Sequence, residues 1–307
     1  MRRNLSDCLM TLLVWASMTL LAAPCPLRGQ ATEPSAAETE ESTLEAEIEQ
    51  ATRRASDTGY LLQYRFEKGQ SLRMKVVQLV SMQTRIDGSE QNVQSRSVST
   101  RQWDVEDVDQ GKVTFTHTIK HVSMWQKVTG KDEIRYDSEK DERPPEVYRA
   151  IAEKLGKPLS TITITSDGKL VDRKDQARQF DVGIDSLVVP LPGKRIQPGH
   201  RWFTPEKLRI RTETGTFRTV QLRRQYKLEK VEAGVATISI NTQVLTPLDD
   251  PKVKSQIVQR MQDGSLRFDI ERGRILSRQL DLDQRVIGFN GPASLMHYLA
   301  RTREEVQ

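Results

Sequence analysis

His117 and His121 stand four residues apart, a spacing that lets two imidazoles on one helix face share a metal ion. The residues around them, Val113, Phe115, Ile119 and Trp125, follow a strand pattern instead, and four strand residues span about 14 Å. Two ligands of one ion do not sit that far apart. The pair is read as partly buried histidines, and no metal site is assigned.

Other chemistries fail on similar grounds. A serine nucleophile on a strained turn would need a Gly-x-Ser-x-Gly run, which is absent, and Asp263-Gly264-Ser265 reads as a helix stop. Pro192-Gly193-Lys194-Arg195 shares only Gly-Lys with a phosphate loop and reads as a turn. Among 42 acidic residues some pair could meet in space as a hydrolase dyad, but no spacing marks one. Both cysteines, Cys8 and Cys25, lie in the first 31 residues, so the rest of the chain has neither thiolate nor disulfide chemistry. No catalytic residue and no cofactor is assigned.

Arg209, Arg211, Arg218, Arg223, Arg224 and Lys227 form the densest basic region. It is read as a solvated strand face; as an anion groove it would suit lipid headgroups or cell-wall anions. Elsewhere lysine and arginine alternate with aspartate and glutamate, unlike the one-sided basic surface that nucleic acid requires, so nucleic acid is excluded as a partner.

Around these residues the chain has a clear plan. Arg2 and Arg3 precede an apolar run from Cys8 to Ala23, too short for the roughly 20 residues of a membrane-spanning helix, so residues 1–31 are expected to be a cleaved signal peptide. Export to the periplasm or the exterior follows. Removing Arg2, Arg3 and Arg28 against Asp7 lowers the net charge from +5 to +3. In a rival reading Cys25 carries a lipid anchor, the one route foreseen to membrane association. Residues 32–58 are polar, with Leu44, Ile48, Ala51 and Ala55 at helical spacing, and read as a linker or weak helix.

From Gly59 the period becomes two. Leu72, Met74, Val76, Val80, Met82 and Ile86 hold one face of a long strand that turns at Asp87-Gly88, and a third long strand follows Asp109-Gln110-Gly111. Pro145 and Asp250-Pro251 start two helices, the first stopped by Gly156 and Pro158, the second by Gly264. Leu295, Tyr298 and Leu299 suggest a third in a segment read as C-terminal helix and tail, 291–307.

Trp103-Asp-Val105-Glu106 returns 123 residues later as Tyr226-Lys-Leu228-Glu229, and the strands, helix and hairpin around it recur in the same order, with Leu72-Arg73-Met74-Lys75 matched to Leu208-Arg209-Ile210-Arg211. A duplicated domain over 59–290 is expected. Lobe one spans 60–173, a Pro- and Gly-rich connector 174–205, and lobe two 206–290. The fold class is mainly β, α+β: long antiparallel strands in two related lobes, forming a curved sheet or open barrel with two or three packed helices on its concave face.

Leu62, Tyr64, Phe66 and Gly69, the Trp103-Asp-Val-Glu run, Tyr136-Asp137-Ser138 and the Phe268-Asp269 to Gly273-Arg274 hairpin together resemble an uncharacterised family of secreted bacterial proteins, of planctomycete type, known only as a domain of unknown function. The resemblance covers about Tyr60 to Val286. It implies export and a β-rich fold and brings no catalytic residues. More loosely, the architecture is similar to curved-sheet carriers of lipids or lipoproteins in the periplasm.

The expected function is that of a non-catalytic envelope protein binding an amphiphile or lipid, or an envelope protein partner, on its curved sheet. Met74, Val76, Met82, Phe115, Trp125 and Ile164 are the candidate lining residues. The alternatives are a scaffold with no ligand cavity and, more remotely, a hydrolase using unmarked carboxylates.

Overall fold

A computed structural model describes residues 59–175, 188–212 and 215–307. The segments expected to be a signal peptide (1–31, with Cys25) and a linker or weak helix (32–58) lie outside the described residues. The strands are β1 (Tyr60–Leu61), β2 (Ser71–Ile86), β3 (Ser89–Asp109), β4 (Lys112–Val128), β5 (Ile134–Asp137), β6 (Pro158–Thr165), β7 (Leu170–Asp175), β8 (Arg195–Ile196), β9 (Arg201–Arg211), β10 (Phe217–Glu232), β11 (Val235–Val244), β12 (Asp263–Asp269), β13 (Arg274–Ile287) and β14 (Leu295–Val306). Helix α1 (Glu146–Ala152) follows β5, and α2 (Pro251–Ile257) follows β11.

Twelve strands form one antiparallel sheet in the order β7-β6-β4-β3-β2-β14-β13-β12-β11-β10-β9, with β5 added to β4. Its edges, β7 and β9, do not pair with each other, so the sheet is open. It is nevertheless bent far round. One continuous core joins Trp103, Phe115 and Ile164 of the first half to Tyr226, Ile238 and Phe268 of the second. Strands this long coil under their own twist, which brings the two halves of one face together.

The extended segment before β2 runs between the halves. Leu62, Tyr64 and Phe66 are buried there, while Tyr64 N donates to Ser166 O at 2.8 Å and Arg65 N to Gly273 O at 3.0 Å. The alternating apolar run that opens the resemblance is thus a tie between two hairpin turns.

Equivalent hydrogen bonds recur in the two halves. A bulge interrupts β3 between Val105 and Asp107, and another interrupts β10 between Leu228 and Lys230. The skipped residues are Glu106, whose carboxylate accepts from the Thr116 hydroxyl, and Glu229, which accepts from Ser239 Oγ at 2.6 Å. Both strands then turn through a non-glycine residue at positive φ, Gln110 at 45° and Ala233 at 47°. Upstream, Val105 N donates to Gln70 O and Leu228 N to His200 O.

The register corrects the first-strand alignment. Leu72 opposes Trp103, and Trp202 opposes Tyr226, so the counterpart of Leu72 is Trp202, not Leu208. An alternating pattern matches itself at every even slip, so sequence alone did not fix this register. The expected connector 174–205 therefore contains β8 and the first half of β9. Pro190, Pro192 and Pro198 do lie outside strands, whereas Pro205, at the connector's bound, sits in an edge strand, where a missing N–H is tolerated.

The C-terminal helix is also corrected: Leu295–Val306 is β14, inserted between β13 and β2. Met296 and Tyr298 are buried at strand spacing, and two full hydrogen-bond ladders outweigh a weak helical periodicity. Nor does Gly264 end a helix. The helix closes in a 3-10 turn at Val258–Arg260, and Gly264 lies in β12 opposite Leu280.

Both helices pack on the core-bearing face, as their apolar stripes require. Tyr148 of α1 stacks on Tyr136 at 6.2 Å, over Ile119 and Val122. Val253 and Ile257 of α2 cover Ile210, Val220 and Leu222, and Asp250 caps that helix by accepting from Lys252 N at 2.8 Å.

Candidate ligand cleft

The six expected lining residues separate. Met74, Val76, Phe115 and Ile164 are buried, and three of them lie in the core that joins the halves. Met82 packs with Leu282 and Tyr298 further along the same face. Trp125 is on the opposite face. Thr100 opposes His121 but Arg101 opposes Ile119, so Lys120 is an extra residue, and everything beyond it changes side.

That bulge also separates the histidines. His117 is buried and stacked on Trp103, with ring centroids 4.3 Å apart. Burial, and then the charges of Arg101 and Arg173, push its pKa down to about 3. His121 faces outward, its Nε2 3.1 Å from Asp137 Oδ1. Hydrogen bonds from His121 and from the Glu139 amide hold the Asp137 carboxyl below its usual range. Glu139 brings a third ligand atom to within 4.8 Å of these two, the one such grouping found among the described residues. The histidine and aspartate already satisfy each other there.

The interior face carries a buried ion pair between the apolar clusters. Arg278 donates to both carboxylate oxygens of Glu304, at 2.9 and 3.0 Å. Burial lowers the nearby Arg101 guanidinium to about 10, with Glu304 opposing the effect and Arg278 adding to it. Arg101 itself donates to Ser99 Oγ at 3.3 Å. These three charged groups are arranged for mutual neutralisation, and the buried His117 Nε2, which has no hydrogen-bond partner, stands close enough to Arg101 to feel its charge.

A cleft of about 530 Å³ lies where the sheet fails to close. One wall is Leu170 of β7, the other is Trp202 and Phe203 of β9, and Val188, Pro190 and Leu191 cross between them. The crossing segment is held from both sides: Trp202 Nε1 donates to Pro190 O at 2.8 Å, and Tyr64 bonds both backbone groups of Val189. The lining is mostly apolar, with Thr204 and Lys169 as its polar side chains. Lys169 Nζ pairs with Asp167 Oδ2 at 2.7 Å, and Thr165, on the same turn, also bonds Asp167.

None of these lining residues is among those expected: most lie in 174–205, whose prolines, glycines and weak periodicity read as a connector, and Lys169 and Leu170 lie at the end of lobe one. The signal was present in Val188-Val189-Pro190-Leu191 and in Trp202-Phe203, which are more apolar than a solvated linker needs to be. A second groove, about 590 Å³, crosses the outer face between Leu79, Trp125 and Leu299. An ion pair from Arg301 Nε to Asp281 Oδ1, 2.5 Å, borders it.

No protein-family model and no curated protein matches the sequence. Among solved structures, one of lipovitellin, concerned with its lipid–protein interactions, is similar over 79% of this chain, at 11% identity and a TM-score of 0.43. The chain spans about a quarter of that protein, 25% of its length. A putative outer membrane lipoprotein-sorting protein domain from Vibrio parahaemolyticus aligns over 76% of this chain and 83% of its own, at 10% identity and a TM-score of 0.12. Neither similarity is close enough to transfer a ligand or a role. Among the described residues no helix is long and apolar enough to cross a membrane.

Proposed function

We propose that this is an exported, non-catalytic protein that holds an amphiphilic small molecule in the cleft between β7 and β9. One observation carries the reading: among the described residues, the gap between the unpaired edges of a strongly bent sheet is also a mostly apolar cleft of about 530 Å³. Small-molecule sites are typically about 300–1,000 Å³, apolar, with a few polar groups at one end. Apolar walls with Lys169 and Asp167 at the rim suit a ligand with a hydrocarbon body and a polar head. Export rests on the basic, then apolar, amino terminus.

Burial of Met74, Phe115 and Ile164 supports a second reading, a scaffold whose halves pack shut. Native mass spectrometry of the protein purified from its own cells, compared with the denatured chain, separates the two. Excess mass released as an amphiphile, and lost when Leu191→Trp fills the cleft, supports the carrier. A bare polypeptide mass that stays bare on incubation with fatty acids and phospholipids supports the scaffold.

A further inference from the structure

The outer face of the open edge differs from the rest of the surface. Strand alternation turns Arg201, Phe203, Lys207, Arg209 and Arg211 of β9 outward, and pairing brings Phe217 opposite Arg211 and Arg223 opposite Pro205. Phe203 and Phe217 are 47% and 58% exposed, large values for phenylalanine on a folded surface. Each lies under a guanidinium: Arg223 Cζ is 4.7 Å from the Phe203 ring centroid, and Arg209 Cζ is 4.1 Å from that of Phe217.

The charge is one-sided as well. Glu229, the acid that shares this face on β10, is occupied by Lys227 and Ser239. Arg201 shares Glu229 with Lys227, and among the described residues Lys207, Arg209, Arg211 and Arg223 pair with no carboxylate, whereas on β13 and β14 Arg301 and His297 face Asp281 and Asp283. Across the open edge, Leu170 and Val171 are 51% and 48% exposed. Phe203 belongs to both features, lining the cleft and standing on the basic face.

We propose that the outer face of β9 and β10 docks on an anionic lipid bilayer, with the cleft mouth towards it. The two Arg–Phe pairs fit that partner. A bilayer offers phosphates at the depth of the guanidinium groups and an apolar boundary just below for the rings, whereas a soluble polyanion offers only the charges. Naming the bilayer as the source of the cleft's amphiphile rests on the proposed function, but the docking itself does not.

The test uses the processed protein from its own cells and sedimented vesicles of phosphatidylcholine, with or without 30 mol % phosphatidylglycerol, over a salt series. Binding is expected only with phosphatidylglycerol and should weaken with salt. A variant combining Arg209→Glu, Arg211→Glu and Arg223→Glu is expected to lose about a hundredfold or more in affinity, since each basic residue near such a surface contributes about fivefold. Arg301→Glu with Arg303→Glu, on β14, should bind as the parent does, and unchanged thermal melts would show that both variants fold.

Phe203→Ser with Phe217→Ser should impair vesicle binding while sparing retention by soluble polyphosphate. Equal binding to neutral vesicles, equal losses in the two charge variants, or polyphosphate binding as tight as that to vesicles would overturn the proposal. Failure to bind vesicles by a protein that carries an amphiphile removes docking alone. Docking by a protein that never carries one removes the carrier alone.

Discussion

Tyr64 and Val189 exchange two hydrogen bonds: the Tyr64 hydroxyl donates to Val189 O at 3.0 Å and accepts from Val189 N at 2.7 Å. A side chain from the tie segment thus completes the backbone pairing of the segment that crosses the cleft. Tyr64→Phe leaves a buried donor and acceptor unmet, at a cost of about 2–4 kcal/mol in a urea melt. The Val189 amide should then exchange hydrogen faster than amides in β3. If the carrier reading holds, ligand affinity falls with it, because Val188 and Pro190 form the cleft wall.

Two hairpin glycines should tolerate no side chain, for a reason beyond their positive φ. A Cβ on Gly168 would lie 2.6 Å from Val189 O, and one on Gly273 would lie 2.6 Å from Arg65 N, whereas one on Gly111 would meet nothing within 4 Å. Gly111→Ala pays only the left-handed backbone term, about 1–2 kcal/mol. Gly168→Ala and Gly273→Ala add a clash with backbone and should cost at least about 3 kcal/mol by chemical denaturation. Equal losses at all three sites would show that the tie segment yields.

Much of this fold was legible because its signals are local. The turns at Asp87-Gly88 and Gln110-Gly111 and the Asp250-Pro251 helix start use residue types with a direct backbone consequence. The repeat was visible at Trp103 and Tyr226 because the bulge behind each needs the same acid and hydroxyl. What stayed hidden depends on partners far away in sequence. Lys120 reads as one more strand residue until its neighbour shows that β4 has one too many. The 295–306 segment becomes a strand because β2 and β13 leave it a place. The cleft escaped because its wall is a segment without periodicity, in contact with an edge known only once strand order is known.

His117 ties stability to acid. Its pKa falls from an ordinary 6.5 to about 3 in the fold. Between those values the unfolded chain takes up a proton that the folded chain refuses, so stability present above pH 6.5 is lost progressively down to about pH 3. The shift corresponds to about 4–5 kcal/mol across the window. His117→Phe keeps a ring against Trp103 and removes the titration. Its denaturation midpoint should decline less between pH 7 and pH 4 than the parent's, and parallel declines would assign the acid sensitivity to other groups.

The interior ion pair should respond unequally to loss of its two members. Glu304 makes both hydrogen bonds of the pair with Arg278, and its charge also acts on Arg101. Glu304→Gln therefore leaves two guanidinium groups in the interior without a countercharge, a situation that costs about 3–5 kcal/mol. Arg278→Met leaves Glu304 still facing Arg101, and the methionine fills much of the vacated volume, so it should cost clearly less. Urea melts of the two variants and of Arg101→Met measure the asymmetry. If Arg278→Met is as damaging as Glu304→Gln, Arg101 does not compensate Glu304, and the pair is an isolated one.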